Sequence, residues 1–383
     1  MLPDLLDWLS LALVPGLGPA LAGRLLDRFQ TPRRIFDAPP ASLRSIPGLG
    51  SKTIARLRDP AVLSQIRGQA EDQLAWLARS GTTVLTCQDP EFPTRLLHIH
   101  DPPLLLFCRG RLELLSLPAV AVVGSRAATG YGERVGRELG RELANHGIVV
   151  LSGMALGIDG AAHRGALDSS GLTTGVLGCG IDVIYPRQHE TLFAEVGRRG
   201  LLVSEYGPGI GPARFRFPAR NRIVSGLSLG VVVVEAGSRS GALITARMAL
   251  EQGREVFAVP GRVDSFRSRG THELLRQGAT LVSSVDDILE ELRFVTTDPM
   301  EDGKGSGAGG LQPETEEVDT DGLNPEESRV LAGLDTYPRD IDSLARAVGM
   351  EPARLHGILL QLEIMGRVRQ LPGQQYERIT KGG

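Results

Sequence analysis

Seven short apolar runs set the limits on what this chain can fold into: AVAVV, IVVLS, TTGVL, LLVSEY, GVVVVE, EVFAV and ATLV, spread over residues 119–282. Each is too short for a buried helix, and too continuous in Val, Ile and Leu for a strand with one face in water. Helical patterns such as GERVGRELGRELANHG and ALITARMALEQG separate them. Strands covered on both faces and alternating with helices predict an α/β domain built on a doubly wound, mostly parallel sheet. Ligands of such sheets bind beyond the carboxyl ends of the strands. The stretch before it, from about 71 to 116, holds a helix, TTVLT, the proline-rich DPEFPTRLLHIHDPP and LLLFCRG, and predicts strands and turns that extend the same domain.

The flanks read differently. VPGLGPALAGRLL (14–26) and IPGLGSKTIARLR (46–58) repeat one pattern at an offset of 32 residues, a tight glycine turn followed by a helix. This predicts an all-α, SAM-like helix-hairpin-helix module over 1–68, with Arg24, Lys52 and Arg56 as its nearby charges. The α/β domain then occupies 69–295. Residues 296–323 include EDGKGSGAGG and ETEEVDTDG, compositions of a flexible acidic linker that cannot bury enough apolar surface to offset ordering. From 324 to 383, three helical patterns and RVRQLPGQQYERI predict a winged-helix domain. Its recognition helix offers Arg354 and His356 but also Glu363, which suits DNA and a protein contact equally.

Charge is unevenly placed. The net charge is -3, yet residues 298–327 carry ten acids against one lysine, a net of -9 that leaves +6 on the rest. Residues 211–270 hold ten arginines and four acids. Lysine occurs only at Lys52, Lys304 and Lys381, so the basic charge is almost all arginine, whose planar fork suits bidentate phosphate recognition. Cys87, Cys108 and Cys179 lie far apart, in neither a metal spacing nor a disulfide framework, which fits a reducing cytoplasm. The N-terminus has no basic leader, and no run reaches membrane-spanning length, so no membrane insertion is expected.

Several motifs fail on context. VVGSRAATGYGERVG lacks the G-x-G-x-x-G of a dinucleotide loop directly after its strand, and the next strand ends in Ser152-Gly153 rather than an acid. The G-x-S-x-G match at Gly226-Leu227-Ser228-Leu229-Gly230 precedes a strand instead of following one. Asp159 and His163 stand four apart with no third ligand, as a helix-start carboxylate and a hydrogen-bonded histidine would. What remains converges on anions. Gly124-Ser125-Arg126, Ser152-Gly153, Gly178-Cys179-Gly180 and Gly237-Ser238-Arg239-Ser240-Gly241 each follow a strand, so the topology puts all four loops on one rim, where backbone amides can approach phosphate. Beside them ARFRFPARNRIVSG interleaves arginines with Phe215 and Phe217, the chemistry of a single-stranded nucleic-acid groove. A solvated basic helix with its phenylalanines in the core gives the same pattern.

GSRAATGYG, SGMALGIDGAAH, FPARNRIVSGLS, EAGSRSGALITA and GTHELLRQGA, in this order, closely resemble the DNA processing protein A (DprA/Smf) family over about 70–295. The resemblance implies a Rossmann-like fold and a non-catalytic, single-stranded DNA binding protein of natural transformation and recombination. Such a protein forms a homodimer, takes no cofactor, protects incoming strands and loads RecA recombinase onto them, with single-strand binding protein as a candidate further partner. Residue by residue it implies Gly124, Ser125 and Arg126 as one phosphate turn and Ser240 and Gly241 as a second. Phe217, Arg220, Asn221 and Arg222 match the DNA-binding block, and Arg214 a basic contact; Ser152 and Gly153 join them on the rim. His272, Leu275 and Leu281 lie in the region implied for dimer and RecA contacts. The alternative is a nucleotide phosphoribohydrolase of the LOG (lysine decarboxylase-like) group. Aligned on Gly241, its catalytic glutamate falls on Thr245, which leaves hydrolysis without an acid-base group.

Overall fold

The computed structural model describes residues 3–293, 323–334 and 338–379, without 372 and 374. The acidic linker expected over 296–323 lies, apart from Leu323, outside the described residues. Strands β1 (Thr83–Thr86), β2 (Leu105–Gly110), β3 (Ala119–Val123), β4 (Val149–Ser152), β5 (Thr173–Leu177), β6 (Leu201–Ser204), β7 (Gly230–Val233), β8 (Glu255–Ala258) and β9 (Thr280–Leu281) make one sheet. Their order is β1-β2-β6-β5-β4-β3-β7-β8-β9. From β6 to β9 every pairing is parallel, while β2 pairs antiparallel with β6 and β1 with β2. The stretch before the α/β core does extend the same sheet.

The apolar runs are continuous because both faces are covered. Val120, Val122, Val150 and Val232 enter one cluster, with Leu139 and Leu143 of the helix Gly130–Asn145. Their neighbours Ala121, Val123, Leu151 and Val231 enter another, with Ile223 of the helix Arg216–Leu227 and Ala246 of the helix Gly241–Glu251. From β3 the chain moves outward through β4, β5 and β6, then returns to the other side of β3 as β7. The loops after β3 and β7 therefore diverge around a switch point, where a crevice opens at the carboxyl edge.

The N-terminal helices form the paired hairpins that the repeat predicts. Gly16 and Gly48 turn at φ +81 and +82. Arg56 Nη1 donates to the Pro15 carbonyl and Arg24 Nη1 to the Pro47 carbonyl, each at 2.8 Å, so each repeat clasps the turn of the other. Trp8, Leu25 and Leu57 share one apolar cluster with Leu105, Phe107 and Leu192 of the sheet domain. The described C-terminal residues form three helices, Pro325–Ala332, Ile341–Val348 and Pro352–Ile364, with a sheet of β10 (Arg339–Asp340), β11 (Val368–Leu371) and β12 (Gln375–Arg378). This winged helix has its own core of Val330, Leu344, Leu359 and Tyr376.

Candidate nucleic-acid interface

The loops at the carboxyl edge are held close by contacts that tolerate no side chain. A Cβ on Gly124 would lie 2.5 Å from the Ile158 side chain. One on Gly157, at φ +74, would lie 2.3 Å from the Ser125 carbonyl oxygen. The Ser125 amide donates to the Glu235 carbonyl at 2.7 Å, which ties the loop after β3 to the end of β7. Beneath that tie the Glu235 carboxylate accepts from the Thr129 amide at 3.0 Å and the Thr129 hydroxyl at 2.6 Å. Burial pushes the Glu235 carboxyl up from its ordinary value, against the pull of Thr129 and of Arg267.

These loops enclose a cavity of about 990 Å³. Of the expected residues, Gly124, Ser125, Arg126, Gly153, Arg214, Phe217, Arg220, Asn221, Ser240 and Gly241 line it. Two lie outside it. The Ser152 hydroxyl donates to the Val122 carbonyl at 2.7 Å, joining β4 to β3, and Arg222 Nη2 donates to Glu205 at 2.6 Å in a largely buried ion pair. His272 hydrogen-bonds the Gly261 carbonyl, Leu275 packs partly buried against the core, and Leu281 is half exposed on the edge strand β9.

Among the described residues six arginines line the cavity, Arg126, Arg214, Arg220, Arg239, Arg267 and Arg269, against one carboxylate, Asp159. That carboxylate is engaged by the amides of Gly153 at 3.0 Å and Ala155 at 3.3 Å. Burial pushes the Asp159 carboxyl up, opposed by the charge of Arg220 and by those amides. Arg220 is itself buried and donates from Nη1 to the Val176 carbonyl, while Arg126 stands exposed with its guanidinium 5.3 Å from the centre of the Phe217 ring. Tyr185 closes on Phe217 with ring centres 5.3 Å apart. The site is thus a positively charged recess with an aromatic platform. Tyr185, Phe266, Arg267 and Arg269 were not singled out by sequence reasoning, although FRSR repeats the aromatic-arginine interleaving of ARFRF.

The motifs set aside on context sit in structural roles. Ser228 is buried, with its hydroxyl donating to Ser225 at the turn before β7. His163 Nδ1 bonds the Thr173 hydroxyl at 2.7 Å, and burial, then the charges of His189 and Arg220, push its pKa down to about 3. Below about 6.5 the unfolded chain binds a proton here that the folded protein refuses until about 3, so stability present at neutral pH is lost as the pH falls through that window. The expected slope from this residue is about 1.4 kcal/mol per pH unit. Urea unfolding of His163→Asn at about pH 6.5 and about pH 5 should show a correspondingly shallower loss, and an unchanged slope would contradict it.

Comparison with known proteins decides the family. A profile of DNA recombination-mediator protein A matches residues 83–293, the DprA winged helix domain matches 314–374, and the SAM-like helix-hairpin-helix tandem matches 9–61. The chain belongs to the DNA processing protein A (DprA/Smf) family. Protein Smf of Synechocystis is 35% identical over 97% of this chain and 98% of its own length. The DNA processing protein DprA of Streptococcus pneumoniae is 44% identical over 63% of this chain and 85% of its own. The X-ray structure of the pneumococcal DprA superimposes with a TM-score of 0.61 at 39% identity, over 74% of this chain and 95% of that one. A second DprA structure, from Helicobacter pylori, superimposes at 0.51 with 33% identity over 57% of this chain and 98% of that one, and describes a single-stranded DNA binding mode of that protein. The fold expected from sequence, a Rossmann-like sheet flanked by helix-hairpin-helix and winged-helix modules, is thereby this DprA-family chain's own. Among the described residues no helix is long and apolar enough to cross a membrane.

In the winged helix of this DprA-family chain, the helix Pro352–Ile364 turns Leu360 and Ile364 to solvent, and Arg354 pairs with Glu326 at 2.5 Å. Its outer surface is more apolar than cationic.

Proposed function

We propose that the cavity at the carboxyl edge of the sheet binds single-stranded DNA, and that the protein protects strands and loads RecA recombinase onto them without catalysing a reaction. The observation that carries this is the placement of six arginines and the Phe217 platform in one recess where, among the described residues, the single carboxylate is already engaged. Arginines meet phosphates, loop amides of Gly124 and Gly241 add donors, and a ring stacks on an unpaired base of any identity. The Helicobacter pylori relative, which binds single strands, supports the same ligand. Among the described residues that line the cavity, no carboxylate is free to serve hydrolysis. Thr245 stands in the cavity wall where the phosphoribohydrolases carry glutamate, and Asp159 and Glu235 are occupied by protein donors. The half-exposed Leu281 on edge strand β9, with Leu275 and His272 nearby, belongs to the homodimer and RecA surface in this reading. The boundaries at 68, 295 and 323, cytoplasmic location and single-strand binding protein as a further partner complete the reading.

The test is anisotropy of a labelled oligonucleotide, single against double stranded, across salt, with nucleoside monophosphate hydrolysis assayed on the same preparation. Affinity should fall with a log-log salt slope of about -0.7 per neutralised phosphate. Arg126→Ala should weaken binding about tenfold with unchanged melting, because its guanidinium is exposed and serves no buried partner. Equal competition by duplex, or release of free base, would overturn the reading.

A further inference from the structure

We propose that Phe266 is a second base-stacking station, so that the cavity engages a run of consecutive nucleotides from both ends rather than a single nucleotide at Phe217. This rests on the reading of the cavity as a single-stranded DNA site. Phe266 lies between β8 and the helix Arg269–Arg276 and lines the same 990 Å³ cavity. Phe266 is 51% exposed and belongs to none of the apolar clusters, so no packing in the core accounts for its place on this wall.

Its surroundings repeat the chemistry of the first station. The Arg267 guanidinium sits 5.1 Å from the centre of the Phe266 ring, as that of Arg126 sits over Phe217. Arg267 Nε is buried without a hydrogen-bond partner, and Arg239 and Arg269 are exposed on the same wall. An aromatic face with cations around it holds one base and its phosphates.

The spacing of the two stations follows from the sheet. A Cβ on Gly178, just after β5, would lie 2.8 Å from the Phe217 ring, so the first station stands over the end of β5. The second is clasped to the end of β7, where the Gly270 amide donates to the Ala236 carbonyl at 2.7 Å and a Cβ on Gly237 would lie 3.6 Å from the Phe266 carbonyl. Strands β5, β4, β3 and β7 are consecutive in the sheet. Three strand spacings of about 4.8 Å put the stations about 14 Å apart. Nucleotides stacked at about 3.4 Å span that gap with about four residues, and a stretched strand with fewer. The loops after β4 and β3 lie between, and Gly153, Ser125 and Arg126 line the cavity there. One nucleotide cannot reach both rings.

Competition binding with thymidine dinucleotide and with an oligothymidylate of about ten residues tests this. In the wild type the longer strand should bind far more tightly. Phe266→Ala should cut that gain about 5- to 150-fold, the worth of one stacked base, and Phe266→Trp should restore it. Phe217→Ala should weaken both lengths. If Phe266→Ala keeps the full gain, the second station is wrong while single-strand binding stands. A changed oligomeric state with unchanged gain would make Phe266 a protein contact instead. If the wild type binds neither length, the underlying reading fails first.

Discussion

Replacing Arg220 with methionine is expected to lower the melting temperature by about 6–12 °C and to weaken single-strand binding, a combination that Arg126→Ala should not reproduce. Arg220 is 4% exposed, although it lines the cavity. Its guanidinium fills the space beside Gly153, where a Cβ would lie 2.4 Å from Nη2, and it donates to the Val176 carbonyl at the sheet edge. Burial pushes the Arg220 pKa down, and the neighbouring Asp159 resists this. Methionine keeps much of the volume and removes the charge. The Val176 carbonyl then loses a buried donor, and Asp159, 7% exposed, loses its compensating cation. The two losses together cost at least about 3 kcal/mol. Their pH dependence separates this cause from simple repacking. In the variant the Asp159 carboxyl is raised further, so the deficit is largest where Asp159 is ionised and narrows as acid protonates it. Calorimetry from neutral pH to about pH 4 should show that convergence; melting within about 2 °C of wild type at neutral pH would remove Arg220 from the floor of the site.

Arg220 also marks where the sequence stops being informative. The strands were legible because burial on both faces leaves no polar residue to interrupt AVAVV or GVVVVE, and the strand-end loops followed from topology alone. Within ARFRFPARNR, however, each arginine reads alike. The structure sends Arg214 to the open cavity, Arg220 under its floor and Arg222 into a pair with Glu205, seventeen positions back in the chain. Those fates depend on contacts between β5, β6 and the helix Arg216–Leu227, which no local pattern records. Arg24 and Arg56 teach the same lesson, since charges beside glycine turns suggest phosphate yet here donate to the carbonyls of the opposite repeat. Phe266 was hidden for a third reason. Its place depends on a loop docking on the end of β7 through Ala236 and Gly270, a contact between segments far apart in sequence.

The loops of the cavity also depend on how closely two helices approach beneath them, and Gly165→Ala is expected to break that approach. The helices Gly130–Asn145 and Ile158–Asp168 cross at backbone contact. A Cβ on Gly165 would lie 1.9 Å from the Arg137 carbonyl oxygen, and one on Gly140 would lie 2.2 Å from that of Ala162. No rotamer relieves a clash between a methyl group and backbone, so the helices must separate. Separation opens the cluster of Val135, Leu139, Ile158 and Ala162 and shifts the start of the second helix, where Gly157 and Ile158 pack on the Ser125 and Gly124 turn. Overpacking of this kind costs about 1–3 kcal/mol, with a backbone clash at the upper end, and binding should fall with it because the first phosphate turn loses its support. The same substitution at Gly68 provides the contrast. Gly68 lies within the helix Pro60–Ser80, where a Cβ would meet nothing within 4 Å, so Gly68→Ala should stabilise by up to about 1 kcal/mol through helix propensity. Denaturant unfolding of both variants reads the two signs directly. If Gly165→Ala proves as stable as wild type, the close helix crossing is not what fixes the phosphate turn.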